Sequence, residues 1–364
     1  MTAAARLVVI LGPTASGKSA LGIRLAQRLG GEVVVCDSTQ VYRRFNIGTA
    51  KVLGAEQRGI PHWMIDLVEP DEIFTAGDYR RRAEEILRDI HARGRVPIVT
   101  AGTGLYLRAL LDGLADAPTR SEELRARLRA GAARRGPEYL HRLLQRIDPG
   151  AAASIDARDT QKIIRAIEIR VLARKPVKEV HESGRAPLEG FASVKIGLGP
   201  PRTALYERIE HRVRAMFDAG WSEEVRALTA SGIPRGAKPF TFIGYREILA
   251  HVDAEAAKLG ADATAAAAAG RGASRGKDSA RHSATLRADE TPQRAQRVRD
   301  AGASIAPESL PVPEPLIAVI QQATRRFAKR QLTWFRAESG VHWLDVFGDD
   351  PAAEDKALKL VSST

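Results

Sequence analysis

The residues best suited to chemistry come early. Gly12-Pro13-Thr14-Ala15-Ser16-Gly17-Lys18-Ser19 stands directly behind the apolar run Leu7-Val8-Val9-Ile10-Leu11. This fits G-x-x-x-x-G-K-[ST], a phosphate-binding loop between a buried strand and a helix. Glycines let backbone N–H groups curl around phosphate oxygens, and the helix N-terminus adds its positive dipole end. Lys18 then reaches a terminal phosphate, and the Ser19 hydroxyl is placed to hold Mg²⁺. The motif predicts a bound nucleotide or other di- or triphosphate, and leaves open whether that ligand is ATP.

Positioning that loop requires a sheet. Ala20 to Leu29 reads as a helix, with Leu21, Leu25 and Leu29 at spacing four and Gly30-Gly31 closing it. A second apolar strand, Val33-Val34-Val35-Cys36, delivers Asp37-Ser38-Thr39-Gln40 at its C-terminal end. Val41 to Pro70 looks irregular. Phe74 to Ala92 reads as a helix, Val96-Pro97-Ile98-Val99 as a third strand, Ala101-Gly102-Thr103-Gly104 as its turn, and Leu105 to Leu114 as a helix. Short, wholly apolar strands alternating with helices indicate a parallel sheet covered on both faces. Ligands of such sheets bind at the C-terminal strand ends. The loop, Asp37 and Thr103 all fall there, so they can converge.

The pattern changes at Asp116. From there to Ser193 helices dominate: one opening at a capping box Thr119-x-x-Glu122, one opened by Pro137, and one over Thr160 to Ala173 capped by Asp159. The expected division is a first core part (1–115), a helical insertion (116–193), and further core (194–252 and 315–364). A fourth strand is read at Val194 to Leu198. A helix carrying Leu205, Ile209, Val213 and Phe217 follows, then another over Glu223 to Leu228. Residues 253–314 are low in complexity and poor in large apolar side chains, which predicts a disordered insertion with at most transient helix. A helix from Leu316 to about Phe335 resumes the core.

The 56 Lys and Arg against 44 Asp and Glu give a net charge of +12, which points to an anionic partner, nucleic acid being the commonest. The excess is localised. The helical insertion carries sixteen basic and eleven acidic residues; 315–336 carries Arg325, Arg326, Lys329, Arg330 and Arg336 with no acid. Residues 253–314 balance at nine of each. The single cysteine, Cys36, excludes a disulfide framework and a Cys-based zinc site, and reads as a small buried hydrophobe. No apolar run is long enough to cross a bilayer, and the first strand begins too early for a signal peptide, so the chain reads as cytoplasmic.

A phosphoryl-transfer enzyme is the default for such a loop, with Asp37 as base. No acid ends a later apolar strand as a Walker-B-type ligand, which disfavours a motor or switch ATPase and leaves a small-molecule or nucleoside kinase. An RNA-binding protein with a vestigial loop is a third reading.

Several further motifs carry a resemblance: Asp37-Ser38-Thr39-Gln40-Val41-Tyr42, Asn46-Ile47-Gly48-Thr49-Ala50-Lys51 and Pro61-His62-Trp63-Met64-Ile65-Asp66. So do Gly102-Thr103-Gly104-Leu105-Tyr106, Gln161-Lys162-Ile163-Ile164-Arg165-Ala166-Ile167-Glu168, Gly244-Tyr245-Arg246-Glu247 and Lys329-Arg330-Gln331-Leu332-Thr333-Trp334-Phe335-Arg336. With the loop, this ordered set resembles the tRNA dimethylallyltransferases over nearly the whole chain except about 253–314. The resemblance implies a P-loop NTPase-like parallel sheet flanked by helices, with an inserted all-helical tRNA-binding domain. It implies transfer from dimethylallyl diphosphate to N6 of the adenosine 3′ to the anticodon, in tRNAs reading codons that start with U, by a monomer using Mg²⁺. The loop then holds the diphosphate, and Asp37 and Thr103 are catalytic, Asp37 as base. The tRNA contacts implied are Asp37 to Gln40, Gln161, Lys162, Ile163, Ile164 and Arg165, with Thr103 and Arg125 as single contacts. Thr103 is also expected to cap the helix behind it, and His62 to be a structural loop histidine. Two departures stand out: the low-complexity insertion, and Thr241 where some members carry an arginine, so a diphosphate contact there is lost or made by another residue.

Overall fold

The computed structural model describes residues 4–136, 138–184, 186–272 and 312–363. Its centre is a six-stranded, all-parallel sheet in the order β3-β2-β4-β1-β5-β6. The strands are β1 (Ala5–Leu11), β2 (Gly31–Cys36), β3 (His62–Trp63), β4 (Val96–Ala101), β5 (Phe191–Leu198) and β6 (Val341–Leu344). Along β1 side chains alternate between two cores. Leu7, Val9 and Leu11 face α2 (Ala76–Ala92) and α3 (Gly104–Leu111), whereas Val8 and Ile10 face α1 (Lys18–Leu29) and the last helix (Pro351–Ser362). Both faces of the strand are dry, which is why it is apolar at every position but Arg6. The irregular stretch before α2 contributes the two-residue edge strand β3, which the sequence reading did not resolve.

Between α3 and β5 lie α4 (Glu122–Arg135), α5 (Tyr139–Ile147), α6 (Pro149–Ser154), α7 (Thr160–Ala173) and α8 (Val177–Glu182). They share a separate apolar cluster built on Leu140, Leu144, Ile163, Ile164 and Ile167. The cap of α4 is Ser121, whose hydroxyl accepts the Leu124 N–H, rather than Thr119. Asp159 caps α7 as expected. Pro137 lies outside the described residues.

A third layer holds α9 (Arg202–Asp218), α10 (Trp221–Ala230), α11 (Tyr245–Gly272) and α12 (Glu314–Arg336), followed after β6 by α13 (Pro351–Ser362). Its centre is Trp221, which edges against the Tyr245 ring. Two glycines make room for that indole. A Cβ on Gly48 would lie 2.3 Å from it, and one on Gly244 1.9 Å, at a left-handed φ of 87°. The glycines of N-I-G and G-Y-R-E are therefore two jaws on one tryptophan.

Helix α11 corrects one boundary. It runs unbroken from Tyr245 to Gly272, so the first part of the expected insertion is helix. The run Ala265–Ala269 has the highest intrinsic helix propensity of any composition and needs no buried stripe to extend an existing helix. Residues 273–311, the rest of that segment, lie outside the described residues.

Candidate active site

The C-terminal ends of β1, β2 and β4, three neighbouring strands, carry the loop 12–19, Asp37–Gln40 and the 102–103 turn. They open onto one cavity of about 900 Å³. The loop needs its glycines. Gly12 has φ 153° and a Cβ there would meet the Leu198 carbonyl oxygen at 2.7 Å; Gly17, at φ 89°, is the N-cap of α1 and backs onto Gly348 and Asp349. Two remote segments brace the loop. The Gly348 N–H donates to the Ser16 carbonyl oxygen at 2.8 Å. The Gln331 side chain on α12 accepts the Thr14 N–H at 2.8 Å and donates to the Gly102 carbonyl oxygen at 2.7 Å. One buried amide thus ties the loop after β1 to the turn after β4.

Positive charge gathers at this end of the cavity. Lys18 Nζ folds onto the Pro13 carbonyl oxygen at 2.8 Å. Arg212 of α9 reaches Thr14 Oγ1 at 3.4 Å, and Arg208, one turn earlier, pairs with Asp349 through two bonds of 2.7 and 2.9 Å. Loss of solvent pulls the Lys18 ammonium down to about 8; the Asp37 charge opposes this and the Arg212 charge adds to it. Arg212 is also pushed down, first by loss of solvent and then by Arg208. Crowded cations stripped of water in front of backbone N–H groups form a receptor for a polyanion. Arg208, Arg212 and Gln331 were not singled out from the sequence. The two arginines sit four residues apart beside the apolar stripe Leu205-Ile209-Val213, the one available hint.

Asp37 faces the cavity from the end of β2. Its Oδ1 accepts the Thr39 N–H at 2.9 Å and the Thr39 hydroxyl at 2.7 Å. Oδ2 takes no hydrogen bond among the described residues and lies against Gly102, where a Cβ would be 2.6 Å away. One oxygen is therefore anchored and the other is available to accept a proton. Thr103 sits at the N-cap position of α3 but its side chain makes no capping bond. Its hydroxyl instead accepts the Ser38 N–H at 3.0 Å and donates to Ser38 Oγ at 3.2 Å, joining the two strand ends. The helix-cap expectation fails because this tertiary partner takes the oxygen. Gln40 Nε2 donates to the Thr49 carbonyl oxygen at 3.2 Å.

The remaining wall is apolar and comes from the third layer: Val213, Met216, Trp221, Phe242, Ile243 and Phe327. Lys238 and Thr241 also line it, the Thr241 hydroxyl being turned back onto the Lys238 carbonyl oxygen at 2.7 Å. The Ser19 hydroxyl shares the cavity with one carboxylate, Asp37, and no cluster of three His, Cys, Asp or Glu occurs among the described residues. This donor set fits Mg²⁺, which takes few protein oxygens and draws the rest from water and substrate phosphates.

The α7 segment divides by face. Gln161 and Lys162 are exposed and Arg165 is half-buried, but Ile163 and Ile164 are core. Arg125 is also buried: its Nε and Nη2 bind Glu168 at 3.0 and 2.8 Å. Glu168 further accepts Arg165 Nη1 at 2.6 Å and the Ser121 N–H at 2.7 Å. Burial alone would raise its carboxyl, but bonds from Arg125, Arg165 and Ser121 outweigh burial and bring it to about 2. The side chains of Ile163, Ile164 and Arg125, expected as RNA contacts, are thus spent on packing and on one ion pair. Arg125 positions Glu168, which in turn holds Arg165.

Other expectations resolve simply. Cys36 is free and buried, its thiol pushed up to about 12 by burial. His62 lies in β3, with Nδ1 2.8 Å from the Ile60 carbonyl oxygen. No helix among the described residues is long and apolar enough to cross a membrane.

These features can be set beside known proteins. The IPP transferase family model matches residues 40–275. A tRNA dimethylallyltransferase of Koribacter versatilis is 43% identical over 358 residues, covering 98% of both chains, and one of Solibacter usitatus is 41% identical over 356 residues with the same coverage. Among solved structures, the tRNA isopentenylpyrophosphate transferase of Bacillus halodurans superposes with TM-score 0.60 at 32% identity, covering 98% of this chain and 95% of that one. A eukaryotic dimethylallyltransferase acting on tRNA shares the fold at TM-score 0.67 and 22% identity, over 98% of this chain and 77% of its own. Matched by the family model over residues 40–275 and 43% identical to a tRNA dimethylallyltransferase along nearly its whole length, the chain belongs to the IPP transferase family of tRNA dimethylallyltransferases.

Proposed function

We propose that this enzyme transfers a dimethylallyl group from dimethylallyl diphosphate to N6 of the adenosine 3′ to the anticodon, in tRNAs that read codons beginning with U. The observation that carries the reading is the division of one cavity into three chemistries. The anionic end, with loop N–H groups, Lys18 and Arg212, suits a diphosphate leaving group. The apolar wall from Val213 to Phe327 suits a five-carbon chain. Asp37 and Thr103, at the neighbouring strand ends, suit the nucleophile.

In the reaction, N6 bonds to C1 of the dimethylallyl group while the C1–O bond breaks and its electron pair leaves on the diphosphate. The N6 proton passes to Asp37 Oδ2. Fixing Oδ1 through Thr39 keeps Oδ2 aimed, and such a base contributes about 10²–10⁴ in rate. Thr103 holds Ser38, and with it the backbone beside the nucleobase. Mg²⁺ bound at Ser19 would neutralise charge on the departing diphosphate. The cation that replaces an arginine at position 241 is Arg212, aided by Lys238, since both line the cavity and the Thr241 hydroxyl is engaged with the backbone.

The adenosine must leave its stack to reach Asp37, at a cost of a few kcal/mol. The helical insertion supports a grip on the anticodon stem-loop through Gln161, Lys162 and Arg165, and its excess of basic residues fits the phosphate backbone. The protein acts as a monomer in the cytoplasm on this reading. The test is incubation with dimethylallyl diphosphate, Mg²⁺ and an anticodon stem-loop bearing adenosine after the anticodon, followed by digestion and mass spectrometry. A single adenosine should gain a C5 prenyl group. Absence of that product, with ATP-dependent phosphorylation of a small acceptor, would replace this reading with a kinase.

A further inference from the structure

We infer that Trp334, with Arg108 stacked on it, is a platform for the nucleobase adjoining the extruded adenosine. The inference rests on the RNA substrate proposed above. Trp334 lies on α12 one turn past Gln331, the residue that binds the Gly102 carbonyl oxygen. Its indole edge meets Gly104 so closely that a Cβ there would lie 2.1 Å away. The glycine after Thr103 thus lets the ring sit directly against the catalytic turn.

The ring is not part of the core. Trp334 is 38% exposed, the most exposed of the four tryptophans, and Leu105, which follows Gly104 at the start of α3, is 50% exposed. The Arg108 guanidinium lies 4.6 Å from the indole centroid and has no carboxylate partner among the described residues. None of Trp334, Arg108 and Leu105 lines the cavity, although Thr103, Phe327 and Gln331 do. The patch therefore stands outside the cavity on the Thr103 side. It is too far out to hold the adenosine that reacts, and well placed for that nucleotide's neighbour.

Physical need and surface chemistry agree. Extruding one base leaves the flanking bases with an open π-face, and an aromatic side chain replaces the lost stack without demanding a sequence. A cation held under the ring strengthens that stack and attracts the adjoining phosphate. Arg330, on the same helix, holds its guanidinium 5.8 Å from the Phe327 ring.

The test is a double-mutant cycle between protein and RNA. Wild type, Trp334→Ala, Trp334→Phe and Arg108→Ala are each titrated with an intact anticodon stem-loop and with stem-loops made abasic at the 5′ or the 3′ neighbour of the target adenosine. Single-turnover prenyl transfer is measured alongside. At one of the two flanks the abasic change should weaken wild type by about 5- to 100-fold. The same change should weaken Trp334→Ala by less than about twofold, and Trp334→Phe should fall between. A merely structural tryptophan would lower the melting temperature without any coupling to an RNA position. Equal losses in wild type and Trp334→Ala at both flanks, with wild type still transferring prenyl groups, would overturn the platform alone. Wild type that neither binds nor prenylates any stem-loop would instead overturn the proposed function and the platform with it.

Discussion

Replacing Asp37 by Asn separates two jobs that the proposed mechanism gives to one carboxylate. Asn keeps an oxygen where Oδ1 accepts the Thr39 N–H and hydroxyl, at 2.9 and 2.7 Å, so the strand end should not move. It puts an amide nitrogen where Oδ2 stood and so removes the proton acceptor. We expect kcat to fall by about 10²–10⁴, the usual worth of a positioned base. Affinity for the stem-loop should change by no more than about twofold, because a change confined to the reacting centre leaves the phosphate contacts of the RNA intact. The second job is electrostatic. Burial brings Lys18 down to about 8, and the Asp37 charge is what keeps it from falling further. In wild type the protonated form of Lys18, the one the proposed diphosphate contact requires, is present below about pH 8 and is lost above it. Without Asp37 that loss should begin at lower pH. The assay is kcat/KM for dimethylallyl diphosphate from pH 6 to 9.5, which reports groups of the free enzyme. The basic limb should shift to lower pH in Asp37→Asn, while kcat stays depressed throughout. A kcat within tenfold of wild type, or a basic limb that does not move, would refute this account of the site.

Three other outcomes follow from the packing. Gln331→Ala should leave the Thr14 N–H and the Gly102 carbonyl oxygen without their buried partner, costing about 1–3 kcal/mol and raising KM for the diphosphate, as read by thermal melts and steady-state kinetics. Gly244→Ala should destabilise by at least about 2 kcal/mol in denaturant titration, since the new Cβ meets Trp221 at 1.9 Å at a left-handed φ; wild-type stability there would show that the tryptophan can move aside. Glu168→Gln should cost about 3–5 kcal/mol by stranding Arg125, and weaken stem-loop binding by freeing Arg165. Because the Glu168 carboxyl is held at about 2, its stabilisation is complete above the ordinary glutamate range and drains away as pH falls from about 4.5 towards 2. Far-UV circular dichroism through that window should show acid unfolding that begins at higher pH in Glu168→Gln.

Much of this protein is legible in one dimension. Strands buried on both faces must be apolar at nearly every position, so β1, β2 and β4 announce a parallel sheet. A phosphate loop is a local device: its glycines, lysine and serine act within eight residues, and their spacing alone predicts an anion at the end of β1. The same holds for the placement of Asp37 and Thr103, which follows from their standing where strands end. The family resemblance rested on short local motifs of this kind.

Only the tertiary structure could decide which residues those motifs serve. Gly48 and Gly244 lie almost two hundred residues apart, and nothing local says that both exist to admit Trp221. Gln331 reaches across more than three hundred residues to the loop, and Arg212 enters the cavity from a helix whose own pattern advertises only its buried stripe. Arg125, Ile163 and Ile164 mark the limit in the other direction. A motif tells which residues stay together, but burial tells which of them can touch RNA, and burial is settled by neighbours brought in from elsewhere in the chain. Thr103 spent its hydroxyl on Ser38 rather than on its own helix for the same reason: the contacts that decide a side chain's role here are mostly long-range.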